Sequence, residues 1–261
     1  MTSSVPPQIF CKSTLKQHRL KAFALLKDND PLVRIVEANL LLRIKDFKRD
    51  FHKILTLGFR SGALRDFMPQ FSKNSNVISG FPLAPIPYTD FVFDEENLPI
   101  SSEKFDLIIS ALHLHTVNDL PGSLIQLYDA LKPQGLFIGA FLGGETLKEF
   151  RTAFLKAEMF LKNGISARFS PQIDIKQGAA LLKRAGFKTP ISESHSMTFY
   201  YETPFDLCSH LKALSETNSL LRRSKGLTTP RLLKEVFQVY ESVNDHFPLT
   251  FEVIYMTAWR V

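Results

Sequence analysis

The chain has 261 residues, of which 44% are hydrophobic and 22% are charged, and it carries a formal net charge of +6. This length and composition exclude a disordered chain and support one large α/β domain with a sizeable core. The basic balance permits contact with an acidic surface. Arg222, Arg223 and Lys225 form a small basic cluster, which is better interpreted as a solvated face than as a nucleic-acid site.

The first fifty residues predict two helices. Leu20, Phe23, Ala24 and Leu26 fit the packing face of a first helix, and Asp30-Pro31 is typical of a cap followed by a first-turn proline. The apolar face of the second helix consists of Val33, Val36, Leu40, Ile44 and Phe47. The start of the chain is basic and poor in acids, as cleaved transit peptides are, but the helical pattern favours a segment that belongs to the fold.

The stretch from Ile54 to Gly62 organises the rest of the chain. A short apolar strand, Ile54–Leu57, stops at Gly58, and after Gly62 a helix is predicted. The face of that helix consists of Leu64, Phe67, Met68 and Phe71. A strand, a glycine turn and a helix start together predict a nucleotide site, because glycine admits close backbone approach and the helix start presents free N–H groups.

Further strands and helices alternate along the middle of the chain. The predicted strands are 77–79, ending at Gly80; 91–93, ending at Asp94-Glu95-Glu96; 105–112, followed by His113-Leu114-His115; and 136–142, ending in Gly143-Gly144. Asn118-Asp119 is predicted to cap the helix between the last two of these strands. This alternation predicts a doubly wound, mostly parallel sheet, in which ligands bind at the carboxyl ends of the strands. Five segments converge there.

The last third predicts more helices. Helices are expected over 147–161, after Asp174, from Thr203-Pro204 and from Thr229-Pro230, and strands over 197–201 and 251–259. We therefore expect a single domain over residues 1–261. It comprises N-terminal helices (1–50), a sheet core (51–202 and 247–261) and a helical insertion before the last strand (203–246).

Several motifs resemble the class I S-adenosylmethionine-dependent methyltransferases. The superfamily's order of elements is matched by 54–62, by Asp94 to Pro99 and by Phe105 to Ser110. A narrower resemblance is to the branch of the mitochondrial complex I assembly factor that acts as an arginine hydroxylase, often described as similar to the biotin-synthesis malonyl-carrier methyltransferase. The matching motifs are 110–115, 118–122, 130–133, Leu142-Gly143-Gly144-Glu145-Thr146-Leu147, Arg168-Phe169-Ser170-Pro171 and Glu216-Thr217-Asn218. The resemblance implies a seven-stranded Rossmann-like fold.

The resemblance also implies an S-adenosylmethionine site and shows where this chain departs from it. Asp94 matches the acid that pairs with the adenine amino group. The implied cofactor-binding set is Gly58, Arg60, Gly62, Gly80, Asp94, Glu95, Ala111 and Leu112. Thr56 stands where the superfamily's glycine loop usually has an acid, and Arg60 stands where that loop has its middle glycine. The superfamily's ribose-binding acid corresponds to a position at about Gly80, where this chain has no carboxylate. Arg60 is either a solvated loop residue or a partner for the methionine carboxylate or an acidic protein.

Three polar residues at the strand ends remain open to more than one interpretation. His115 is the candidate catalytic residue, because a strand end delivers it to the substrate side of the pocket. His113 and His115 lie two apart on a predicted strand and so share a face, but without a clear third ligand no metal site is predicted. His113 equally fits a hydrogen-bonded core histidine, and Glu145 fits either a base or a partner of the next helix N-terminus.

Two functions of different class follow. The first is a methyltransferase with a degenerate cofactor loop that modifies a protein or small acceptor. The second is a non-catalytic or hydroxylase-type assembly factor for a respiratory-chain subunit of complex I. The chain has only two cysteines, which fits a reducing compartment. It has no apolar run of about 20 residues, so no membrane-spanning helix is predicted. We expect a cytoplasmic protein, or a mitochondrial matrix protein in a eukaryote, with no nucleic-acid partner.

Overall fold

The computed structural model describes residues 7–25, 30–60, 67, 75–87, 89–224 and 226–261. Gly62 and the helix predicted through Leu64, Met68 and Phe71 lie outside these residues, as does Lys225. The helices are α1 (Lys12–Leu25), α2 (Pro31–Lys45), α3 (Leu120–Ala130), α4 (Lys148–Lys162), α5 (Ile175–Arg184), α6 (Pro204–Ala213) and α7 (Pro230–Gln238). The strands are β1 (Lys53–Leu57), β2 (Asn76–Pro82), β3 (Phe91–Phe93), β4 (Phe105–Ala111), β5 (Leu131–Leu142), β6 (Lys188–Tyr201) and β7 (Phe247–Trp259).

The seven strands form one sheet in the order β3-β2-β1-β4-β5-β7-β6. Strands β1 to β5 pair in parallel, and β7 runs antiparallel to both β5 and β6. The predicted seven-stranded, mostly parallel, doubly wound sheet is therefore confirmed. The strand order reverses between β1 and β4, which places their carboxyl ends, and those of β2 and β3, along one rim.

An apolar core covers each face of the sheet. Because successive side chains alternate across a strand, Ile108 and Ile109 of β4 enter opposite cores, and both are fully buried. One core is closed by α2, α4, α6 and α7, and the other by α3 and α5. Helices α6 and α7 lie between β6 and β7 in the chain, where the helical insertion is expected.

The predicted helix caps are confirmed. Asp30, Asp119, Asp174, Thr203 and Thr229 each accept a hydrogen bond from a backbone N–H in the first turn of the following helix. These bonds satisfy donors that would otherwise lack partners.

Asn118, predicted to share the cap of α3, has another role. Its Oδ1 accepts from the N–H groups of Ile9 and Phe10, at 2.8 and 2.7 Å. Asn118 therefore fixes the segment that leads into α1.

Several element boundaries differ from the predictions. Strand β5 begins at Leu131 rather than at residue 136, and β7 begins at Phe247 rather than at residue 251. Strand β2 continues past Gly80 to Pro82, because residues 80–82 pair with β3. Leu147 is not part of α4 but precedes it in a left-handed conformation, with φ of 60°. Strand β6 begins at Lys188 rather than near Met197, because its long pairing with β7 needs only one covered face. Among the described residues, no helix is long and apolar enough to cross a membrane.

Candidate functional site

Gly58 turns the chain at the end of β1. Its φ is +79°, and its N–H donates to the carbonyl oxygen of Gly80 at 3.0 Å. A Cβ atom at this position would lie 2.4 Å from the carbonyl oxygen of Ala111 and 2.5 Å from the His113 ring. Glycine is therefore required by both backbone conformation and close packing, whether or not a ligand binds beside it.

Thr56 and Ser79 form a pair of hydroxyl groups at the position where the superfamily's glycine loop usually has an acid. Thr56 is 1% exposed, and its hydroxyl donates to Oγ of Ser79 at 2.8 Å. This bond joins β1 to β2 inside the sheet. Thr56 therefore satisfies its polar atom within the fold and does not replace the charge of a carboxylate.

At Gly80, the position matched to the ribose-binding acid, the structure leaves no room for a side chain. A Cβ atom on Gly80 would lie 2.6 Å from Cζ of Phe91, so a side chain there would enter the ring pair of Phe91 and Phe93. Strand alternation turns the next residue, Phe81, the other way, and Phe81 borders a cavity together with Arg19 and Arg60. The residue of β2 that faces the rim is thus apolar and 5% exposed.

The carboxylate of Asp94, just after β3, is bound by a lysine from α1. Lys12 Nζ lies 3.0 and 2.8 Å from the two Asp94 oxygens and 2.7 Å from Oε2 of Glu96. Hydrogen bonds to both carboxylates raise the pKa of Lys12 against the opposing effect of burial. The Lys12 and Asp94 side chains are each more than a third exposed, so this pair is accessible to water.

Glu95 is buried and paired with a second basic residue of α1. Arg19 donates to Oε1 of Glu95 at 2.7 Å, to Oγ1 of Thr116 at 3.1 Å and to the carbonyl oxygen of Pro82 at 3.3 Å. Burial by itself would raise the pKa of Glu95, but the Arg19 charge, helped by His113, lowers it to about 2. The Arg19 and Glu95 side chains are only 5% and 6% exposed.

The two histidines face different partners. Nε2 of His113 lies 2.9 Å from Oγ of Ser110, and burial lowers the pKa of His113 although Glu95 lies close by. Nε2 of His115 lies 3.0 Å from Oε1 of Glu216. The prediction that both lie on one strand is wrong, because β4 ends at Ala111 and His115 belongs to a short 3₁₀ helix. Among the described residues, no three His, Cys, Asp or Glu side chains form a cluster that could hold a metal.

The remaining candidates occupy defined positions around the same rim. Arg60 is half-buried; its N–H donates to Oε1 of Glu37, and burial lowers the pKa of its side chain in spite of nearby Glu216. Ala111 and Leu112 are buried, and Leu112 is left-handed with φ of 46°. Glu145 is exposed and lies 3.5 Å from Lys148, as a surface side chain.

Three of the branch motifs meet at a second place. Thr146-Leu147, Arg168-Phe169-Ser170 and Glu216-Thr217-Asn218 border one cavity of about 60 Å³. Glu216 connects this cavity to His115 through a hydrogen bond. Burial would raise the pKa of Glu216, but the nearby His115 and Arg60 lower it. The tertiary structure thus unites three segments that together span about 70 residues of sequence.

Within the described part of the rim, the protein's own side chains already occupy polar groups that an adenosyl cofactor would use. Lys12 binds Asp94, the acid expected to face adenine, Arg19 binds Glu95 of the implied cofactor-binding set, and Phe81 supplies no acceptor. The cavity between Arg19, Arg60 and Phe81 has a volume of only about 10 Å³, near the minimum for one water molecule. The side chains of Arg19, Arg60 and Phe81 therefore leave little free space between them.

Lys12 and Arg19 contact candidate site residues, and the motif analysis missed them because they lie 82 and 76 residues from their partners. One signal was available: they are seven residues apart on a predicted helix and so share a face. No acidic residue precedes Asp28, so their charges had to find partners elsewhere in the fold.

The sheet order, the reversed β7 and the glycine turn after β1 define the class I methyltransferase fold. Solved structures share it: a protein of Bacillus halodurans, described as a methyltransferase, superposes with a TM-score of 0.54 at 15% identity, covering 84% of this chain and 96% of that one. The YcgJ protein of Bacillus subtilis gives 0.51 at 13% identity, covering 86% and 98%. A family model described as a methyltransferase domain matches residues 70–139.

Sequence relatives identify the branch. The mitochondrial arginine-hydroxylase NDUFAF5 of Homo sapiens is 32% identical over 245 residues, covering 88% of this chain and 70% of the relative. A malonyl-[acyl-carrier protein] O-methyltransferase of Gallionella capsiferriformans is 31% identical over 169 residues, covering 64% and 56%. The chain belongs to the NDUFAF5 family, a branch of the class I S-adenosylmethionine-dependent methyltransferase superfamily, which confirms the resemblance inferred from the motifs.

Proposed function

We propose that this methyltransferase-like protein is an assembly factor that binds a protein subunit of the respiratory chain and acts without S-adenosylmethionine. The observation that carries the proposal is the pairing of Lys12 with Asp94 and of Arg19 with Glu95. These contacts direct the acidic rim towards the protein's own first helix. The membership of the NDUFAF5 family supports an assembly role, with complex I as the expected context.

The buried pair sets the energetic scale. An adenosyl group that reached the rim through Glu95 would have to separate Arg19 from a carboxylate that is almost fully buried. Breaking a buried pair costs about 3–5 kcal/mol, which corresponds to a loss of affinity of roughly a hundredfold to several thousandfold. Phe81 does not offset this cost, because its side chain has no oxygen or nitrogen to accept hydrogen bonds from ribose hydroxyls.

A second candidate is S-adenosylmethionine-dependent transfer to a protein or small acceptor, with His115 as the candidate catalytic residue. The partly exposed carboxylate of Asp94 favours this candidate, because its side chain is 36% exposed. Lys12 donates to both oxygens of Asp94, and the N–H of Glu96 donates to Oδ1. A carboxylate offers about four acceptor positions, so one remains for an adenine amino group. The bound cofactor would supply the methyl group, and this chain would contribute orientation and proximity.

The relatives also bear on location. The NDUFAF5 relatives of Homo sapiens and Mus musculus are mitochondrial proteins. We propose a mitochondrial matrix location if this chain comes from a eukaryote and a cytoplasmic one if it does not, beside the respiratory-chain subunit it would bind.

A calorimetric titration with S-adenosylhomocysteine at high protein concentration separates the two candidates. The assembly-factor proposal predicts no binding heat, and it predicts that a purified respiratory-chain subunit binds equally well with and without the nucleoside. Measurable heat, weakened about tenfold to a hundredfold by Asp94→Ala through loss of a charged hydrogen bond, would overturn it in favour of the cofactor-dependent enzyme.

A further inference from the structure

A large basic groove is lined by residues that the strand-end contacts described above do not use. It has a volume of about 620 Å³ and is bordered by α1, residues 166–168, α6 and residues 217–218, 223–224 and 226–228. The groove is defined by basic side chains, and no acidic residue is part of its described lining. These basic residues are His18, Lys21, Arg168, Lys212 and Arg223.

Two of the cations are held in place by the fold. Arg223 donates to the carbonyl oxygen of Leu220 and to Oγ1 of Thr14, both at 2.9 Å. Arg168 donates to Oε1 of Glu158 at 2.8 Å, so its charge is balanced from outside the groove. The net positive charge therefore comes from Arg223 together with the exposed Lys21 and Lys212.

The positive charge of the groove acts on the imidazole ring of His18. Its Nδ1 lies 2.8 Å from Oγ1 of Thr217 and 3.0 Å from Oγ of Ser219. Burial lowers the pKa of His18, and the charges of Arg223 and Lys21 lower it further. The groove wall thus disfavours one more positive charge and would favour a negative one.

The edges of the groove carry apolar surface as well. Leu25 is 54% exposed and Leu227 is 97% exposed. The described lining contains no aromatic side chain, whereas single-stranded nucleic-acid sites combine cations with aromatic stacking platforms. The cations also line a concavity rather than a flat amphipathic face of the kind that lies on a membrane.

We propose that this basic groove binds an acidic, leucine-containing segment of a protein partner. The proposal deepens the proposed function and rests on it, because it assigns the surface by which the assembly factor holds its partner. Lys21, Lys212 and Arg223 supply charge complementarity, and Leu25 and Leu227 supply apolar contact. The groove shares Arg168, Thr217 and Asn218 with the 60 Å³ cavity of the branch motifs, so a bound segment would pass directly beside that cavity.

The test uses the full chain and a short fluorescein-labelled peptide of glutamate, leucine and serine, followed by fluorescence anisotropy. Binding is expected, with affinity that falls as salt is added, because the contact is electrostatic. The double variant Lys21→Glu/Lys212→Glu should lose about tenfold or more in affinity. A matched control, Lys176→Glu/Lys234→Glu, makes the same charge change at exposed lysines of α5 and α7 and should change affinity by less than about twofold.

A second measurement locates the peptide. The ring signals of His18, followed by NMR against pH, should report a higher pKa when the peptide is bound, because an added anion favours the imidazolium. A peptide with glutamine in place of glutamate should leave the His18 titration unchanged.

Several results would overturn the groove proposal: no binding of the acidic peptide, equal losses in the two double variants, or equal binding of the glutamine peptide. Binding of single-stranded RNA or of phosphatidylcholine–phosphatidylserine vesicles in place of the peptide would also overturn it. These outcomes are distinct from failure of the proposed function, which is judged by the nucleoside titration and not by peptide binding.

Discussion

At the scale of single residues, the Arg19–Glu95 pair distinguishes this rim most sharply from a cofactor site. A buried carboxylate is tolerated only when it is paired and hydrogen-bonded. Here the partner comes from α1, so the same contact satisfies Glu95 and attaches the first helix to the end of β3. Lys12 makes a second contact of the same kind at Asp94, but in a more exposed position.

Replacing Arg19 by methionine should destabilise the protein by about 3–5 kcal/mol, because Glu95 would be left buried and uncompensated. Lys12→Met is the matched control on the same helix face and should cost no more than about 1 kcal/mol, since exposed pairs are weak. Urea unfolding measures both values. Equal costs for the two variants would show that burial does not separate the pairs as described.

Glu95 should also make stability depend on pH. Its pKa falls from the ordinary 4.5 to about 2 on folding, so the unfolded chain takes up the proton first. The stabilisation is complete above the unfolded pKa and is lost as pH falls from about 4.5 to about 2, a total of roughly 3 kcal/mol. Between pH 4.5 and 2 the free energy of unfolding should change less with pH in Glu95→Gln than in the exposed control Glu145→Gln. Identical pH profiles would contradict the assignment.

At the scale of elements, helix α2 shows how a local pattern becomes a packed face. Leu32, Val36, Leu40 and Ile44 recur every four residues and are at most 1% exposed, while Leu42 on the other side is 56% exposed. The predicted stripe is confirmed for Val33, Val36, Leu40 and Ile44, all buried against the sheet. Such a stripe covers one core because residues four apart stack on one helix face.

Leu40→Ala should therefore destabilise the protein by about 2–5 kcal/mol, through lost burial and the cavity left behind. Leu42→Ala changes the same residue type two positions along the same helix and should fall within about 0.5 kcal/mol of the wild type. Chemical denaturation of the two variants provides the comparison. A large effect at Leu42 would mean that the exposed face of α2 is covered in solution.

At the scale of the whole molecule, one sheet separates two cores that share every central strand. Ile108 and Ile109 are neighbours in β4 yet belong to opposite cores. Melting one core would remove the support of strands that the other core needs. This arrangement favours a single cooperative unit, and the single domain over 1–261 stays a prediction.

Trp259, the single tryptophan, provides the test. It lies at the end of β7 and packs edge-on against Phe47, with ring centroids 5.7 Å apart. Its fluorescence and the far-UV circular dichroism of the helices should follow the same transition in denaturant. Two separate transitions would show that the predicted single domain unfolds in parts.

Much of the fold could be predicted because its determinants are local. Asp119 and Asp174 bond to backbone groups only three residues away, so their caps are visible in sequence. The alternation of strands and helices and the parallel sheet follow from periodicity in the same way. The length of β6 was underestimated, because one face is half covered and its polar residues hide the pattern.

The candidate site was less accessible to sequence reasoning because its contacts are long-range. Motif matching brought Gly58, Asp94, Glu95 and His115 into one region, and the fold places them around neighbouring strand ends. It could not show that Arg19 neutralises Glu95, or that Gly80 faces Phe91 while Phe81 faces the rim. Each of these depends on which residues of distant segments share a face.

The sequence by itself determined the class I fold and the branch, since periodicity, caps and motifs act within a few residues of each other. Only the tertiary structure decided how the charges are used. The basic residues of α1 lie about 80 positions before the acids they bind, and the segments lining the groove are farther apart still. The energy of a charge depends on its partner and its burial, and both exist only after the chain has folded.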